Sequence, residues 1–181
     1  MSELRGKVGM ACLIAAEAAI FTIFVVAYVF YARKSLSGPG PDDVLHAPIA
    51  ASVALLASSL TIHRGVTSLE RGDVRAMALW WLLTLALGAG FLAATIVEWQ
   101  RLIDIEGLTI RTNVFGTAYF SLVGLHGLHV TVGLAGIAFG TALAWLGSVT
   151  PRHASRAGVF SMYWHFVDFV WVVVFLVVYV G

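Results

Sequence analysis

Five ionisable side chains stand inside long apolar stretches of this 181-residue sequence: Glu17, His126, His129, His165 and Asp168. A charged group at mid-bilayer is expensive, so each of them marks a candidate functional site. His126 and His129 are three residues apart, as are His165 and Asp168, a spacing that brings each pair to one side of a helix. Glu17 lies about nine residues into its stretch, roughly 13 Å along a helix axis, and His165 lies as far from the start of its own. Three chemistries fit these types at this spacing. Imidazole ligates metals and haem, and His126 with His165 on facing helices at one depth is the arrangement a bis-histidine haem needs. A buried hydrogen-bonded network that fixes helix register uses the same groups. So does a protonatable cluster in which a desolvated Glu17 accepts or buffers protons. The residues alone leave these open. Glu98 and His63 fall at the ends of their stretches, where water solvates them.

The elements that must hold these groups follow from composition. Of the residues, 60% are hydrophobic and 12% charged, against about 25% charged in an average soluble domain. Lipid is therefore the expected solvent. A net charge of +1 points to no nucleic-acid partner and to no strongly basic membrane-surface patch. The single cysteine, Cys12, excludes an internal disulfide, a Cys-x-x-Cys redox pair and a c-type haem attachment motif. Arg5 and Lys7 precede an apolar run of about two dozen residues, too long for the core of a signal peptide, so this run reads as a retained span.

A span needs roughly 20 mainly apolar residues. Five stretches qualify, at 8–32, 44–63, 76–97, 114–146 and 157–180, and the breaks between them hold the turn formers and charges, from Ser35 to Asp43, Arg64 to Arg75, Glu98 to Arg111 and Gly147 to Arg156. The sequence thus predicts an all-α membrane protein, one bundle of five transmembrane helices spanning 1–181. The fourth stretch is too long for one upright span and must tilt or project. Arg5, Lys7, Arg64, Arg71, Arg75, Arg152 and Arg156 fall on one side, and only Arg33, Lys34, Arg101 and Arg111 on the other. The positive-inside rule then puts the N-terminus inside and Gly181 outside. Trp80, Trp81 and Trp99 read as interfacial anchors. Small residues recur at helical spacing as Ala50, Ala54 and Ser58 on the second span and as Gly133, Gly136 and Gly140 on the fourth, where they let backbones approach.

Two long motifs narrow this. Gly116-Thr-Ala-Tyr-Phe-Ser-Leu-Val-Gly-Leu-His-Gly-Leu-His-Val130, followed by Tyr163-Trp-His-Phe-Val-Asp-Phe-Val-Trp171, resembles subunit III of the haem–copper respiratory oxidases. Ala16-Glu-Ala-Ala-Ile-Phe21, the stretch from Pro48 to Leu60, Leu87-Gly88 to Glu98-Trp99 and the turn Leu69-Glu-Arg-Gly-Asp73 agree in order and spacing, so the resemblance covers nearly the whole chain. It implies a non-redox core subunit of a bacterial terminal oxidase that reduces dioxygen and pumps protons. Such a chain binds no haem or copper itself, these being held by the partner subunit I, and a bound phospholipid is possible. The implied partners are subunit I, subunit II, other oxidase subunits and membrane lipids, in the bacterial cytoplasmic (inner) membrane. The family's carbodiimide-reactive glutamate falls on Glu17, its paired histidines on His126 and His129, and its last-helix pair on His165 and Asp168. This favours the network readings over ligation. Two departures stand out. The chain lacks the two extra N-terminal helices of seven-helix members, as five-helix bacterial versions do. It also reads Thr141-Ala-Leu-Ala-Trp-Leu-Gly147 where some members carry basic lipid ligands. Two other readings remain, an accessory subunit of a nitric oxide reductase and a free-standing haem-binding membrane anchor.

Overall fold

A computed structural model describes residues 2–34 and 38–181 and, among them, contains helices and no strands. Helix α1 spans Ser2–Tyr31, the short α2 Pro41–Val44, α3 Ile49–Glu70, α4 Val74–Asp104, α5 Val114–Trp145 and α6 Ala154–Phe175. A 3₁₀ turn at Pro151–His153 leads into α6, and a wider π-helical turn at Leu176–Val180 ends it. Five helices are long and apolar enough to cross a membrane. Ser35, Leu36 and Ser37 of the first predicted break lie outside the described residues.

The helices differ in extent from the apolar stretches. Helix α3 starts at Ile49, behind Pro48, rather than at Val44, and continues through polar residues to Glu70. Proline has no N–H to lose, which suits a helix start. Helix α4 runs past Val97 to Asp104. With 32 residues, α5 reaches about 48 Å against a hydrocarbon core of about 30 Å, and α4 is nearly as long. Both must tilt or project.

Local chemistry sets the ends. Gly72 and Gly147 adopt positive φ (87° and 72°) directly after α3 and α5, the left-handed conformation that closes a helix without a Cβ penalty. Asp73 then caps α4 by accepting from the Ala76 N–H at 2.8 Å, and Asn113 caps α5 by accepting from that of Gly116 at 2.8 Å. In the last turn of α4, Arg101 donates to Glu98 (2.5 and 3.0 Å), to Glu106 (2.9 Å) and to the Val44 carbonyl (2.6 Å). Glu98, expected to be solvated, is thus half-buried in an ion pair that fastens this end of α4 to the loop before α3.

Helix α6 packs on α1, α3 and α5, while α4 bridges α3 and α5. Large rings fill notches left by small residues. Trp164 is fully buried, and a Cβ on Gly133 would stand 2.7 Å from its ring. A Cβ on Gly136 would collide with Phe160, and one on Gly65 or Gly140 with Trp81. Trp81 is therefore core and not an interfacial anchor. Trp164 donates to Ser58 (2.9 Å) and Trp171 to Ser52 (3.0 Å), and Thr61 is 2.7 Å from Thr84, which stitches α3 to its neighbours. The small-residue row on α3 divides: Ser58 is fully buried, Ala54 half-buried and Ala50 exposed. Ala50 lies in the first turn of α3 on its exposed side, so the row is not one packing face. The buried face runs instead through Ser52, Leu55, Ser58, Ile62, Val66 and Leu69.

Candidate functional site

The five intramembrane ionisable residues separate into two hydrogen-bonded groups with one histidine between them. In the first group, Glu17 on α1 meets His129 on α5, Oε2 to Nε2, at 3.0 Å. The other ring nitrogen of His129, Nδ1, lies 2.8 Å from the Leu125 carbonyl oxygen. A carbonyl only accepts, so Nδ1 carries a hydrogen. Nε2 then either accepts from a protonated Glu17 or, as imidazolium, donates to the carboxylate. Both of these forms are neutral overall, which suits a medium that penalises net charge. Tyr163 on α6 donates to the His129 carbonyl at 3.2 Å and brings the third helix to this level.

The second group joins α3 to α6. Ser59 contacts both Asp168, through a short hydrogen bond to Oδ2, and His165, whose Nδ1 is 3.0 Å away. Ser59 has one hydrogen. With that hydrogen on the Asp168 carboxylate, the His165 Nδ1–H donates to Ser59, giving a chain His165–Ser59–Asp168. Ser161, one turn before His165, lies 3.1 Å from its Nε2. Asp168 is buried, and its Oδ1 has no protein partner; His165 is exposed at the outer end of the chain.

His126 belongs to neither group. It is fully buried, neither ring nitrogen has a hydrogen-bond partner among the described residues, and aromatic rings pack against it. It stacks on Trp171 with centroids 5.0 Å apart and planes at 29°, and Phe91 meets it edge-on at 5.8 Å. Residues three apart on a helix differ by about 60° in direction, enough to send His126 into the core and His129 toward α1. The arrangement does not suit a haem between His126 and His165. One ring is packed among Trp171, Phe91 and Phe21, and the other is held by serines on α3 and α6. Among the described residues, no group of three or more His, Cys, Asp or Glu side chains is placed to hold a metal.

Sequence reasoning passed over Ser59, Ser161 and Tyr163. The paired serines at 58 and 59 in an apolar stretch were the one available signal, and only the α3–α6 contact shows that Ser58 anchors a tryptophan while Ser59 bridges two ionisable groups.

The same residues sit in a chain-long likeness. The profile described as cytochrome c oxidase subunit III matches residues 4–181. The chain belongs to that family. A probable cytochrome c oxidase subunit 3 from Mycobacterium leprae is 36% identical over 176 residues, covering 96% of this chain and 86% of the relative. Cytochrome c oxidase subunit 3 from Bacillus sp. strain PS3 is 33% identical over 192 residues, 98% and 88% of the two chains. Quinol oxidase subunit 3 from Bacillus subtilis is 31% identical over 173 residues, 94% and 84%. Subunit III of the haem–copper respiratory oxidases is what these matches share, and the five membrane-length helices belong to it.

Proposed function

We propose that this chain stabilises the catalytic subunit I of a bacterial haem–copper oxidase and supports proton uptake during turnover, without a redox centre of its own. The haem and copper would reside in subunit I, and subunit II and membrane lipids would complete its surroundings. Relatives named for cytochrome c and for quinol match at similar identity, which favours a role common to both donor classes. The distribution of basic residues supports an orientation with the N-terminus and the turns at Gly72 and Gly147 on the cytoplasmic side of the inner membrane and the far end of α6 outside.

The Glu17–His129 pair carries this reading. It is a polar tie between α1 and α5 whose two ends are within reach of exchanging a proton, and both are partly accessible, 24% and 12% exposed. Glu17→Gln and Glu17→Leu separate tie from proton. Glutamine can donate to Nε2 but cannot exchange a proton with it, whereas leucine does neither. The expected result is a complex that assembles with E17Q yet inactivates after fewer turnovers, and one that loses this chain on purification with E17L. Wild-type lifetime and retention in both variants would overturn the proposal.

A further inference from the structure

Away from the polar groups just described, the turn between α3 and α4 carries a cavity of about 380 Å³ lined by His63, Arg64, Thr67, Ser68, Arg71 and Trp80. The first four lie on one side of α3, at i, i+1, i+4 and i+5, Arg71 is the residue that caps its C-terminal end, and Trp80 comes from the first turns of α4. The Arg64 guanidinium lies over the Trp80 ring, 5.2 Å from its centroid, a stacking that orients the group while leaving its N–H edge available. Neither Arg64 nor Arg71 has a carboxylate partner among the described residues. Of the nearest acids, Asp73 is engaged as the cap of α4 and Glu70 lies outside the lining. Two guanidiniums without a carboxylate and an imidazole around one cavity form a donor set for a phosphate, while the Thr67 and Ser68 hydroxyls donate to the His63 and Arg64 carbonyls (3.1 and 2.9 Å) and line its floor.

What lies beneath the cavity selects the kind of phosphate. Along α3 toward mid-membrane, the same exposed side continues as Leu60, Leu56 and Val53, and α4 adds Leu83 below Trp80. A basic cluster with a tryptophan at its base, over an uninterrupted apolar strip, matches a head group joined to acyl chains. We propose that the α3–α4 turn holds the phosphate of an anionic phospholipid, with an acyl chain lying along Leu60, Leu56 and Leu83.

The test uses the purified, delipidated oxidase complex, titrated with phosphatidylglycerol and followed by native mass spectrometry. Arg64→Gln or Arg71→Gln should weaken binding of the first lipid about fivefold, and the double variant about 30-fold, from the typical contribution of one basic residue near an anionic lipid. Arg75→Gln removes a charge from the same turn but not from the cavity and should leave binding unchanged. Equal binding in wild type and double variant would overturn the proposal, as would an equal loss with R75Q, which would reduce it to bulk charge. Phosphatidylcholine binding as well as phosphatidylglycerol would remove the anionic class. Displacement by millimolar inorganic phosphate would replace the lipid with a soluble ion. Failure of the membrane orientation given above would move the lipid to the other leaflet and leave the site intact.

Discussion

His126 and Ser59 carry opposite expectations for truncation. His126 has two buried nitrogens with no protein partner, the condition in which an apolar replacement of similar size is neutral or stabilising. His126→Leu is expected to leave the thermal midpoint of the purified complex unchanged or to raise it. Ser59 is the shared hydroxyl between His165 and Asp168. Ser59→Ala strips the remaining partner from a buried carboxyl group and should cost about 1–3 kcal/mol, seen as a lower thermal midpoint for release of this chain. A larger loss with H126L than with S59A would reverse the roles assigned here. The ionisable residues were legible in the sequence because apolar stretches make any such group conspicuous. Their partners were not, since serine is at home on any helix-packing face.

At the scale of the helices, the bundle is held by rings seated in small-residue notches rather than by hydrophobic segregation, which gives no drive between helices in lipid. Trp164 is the clearest case, enclosed by Gly133 on α5 and Gly88 on α4 and hydrogen-bonded to Ser58 on α3. Gly133→Ala puts a methyl group against the buried Trp164 ring and should destabilise by about 1–3 kcal/mol, the usual cost of overpacking. Gly90→Ala in α4 has open space around its Cβ and serves as the matched control, with no loss expected. Thermal denaturation of both variants in detergent, followed by release from the complex, distinguishes a packing notch from a general intolerance of glycine replacement. The glycine spacing on α5 could be read from sequence. Which ring enters each notch could not, because α4 and α6 carry eleven aromatic residues between them.

For the molecule as a whole, the long helices expose many large apolar side chains, with α1 the least covered of the five. A membrane-embedded subunit divides such a surface between lipid and its partner chains. Sidedness is measurable directly. In a Cys12→Ser background, chosen because Cys12 is exposed, Arg75→Cys should react with a membrane-impermeant thiol reagent only in inverted vesicles. Gln100→Cys should react only in right-side-out ones. The opposite pattern would reverse the orientation.

The sequence by itself determined the five helices, their order and the family to which the chain belongs. Those features are local: a run of apolar residues long enough for the bilayer, turn formers and charges at a break, and motifs read along the sequence. Tertiary structure decided how the ionisable residues were sorted. His126 and His129 are neighbours in sequence and on one helix, yet a 60° difference in direction gives one an aromatic cage and the other Glu17. His165 and Asp168, expected to join them, are claimed instead by Ser59. Trp81 changed from anchor to core for the same reason. In each case the deciding quantity was the rotation of one helix against another, which depends on the packing of all of them at once and leaves no mark in any single segment.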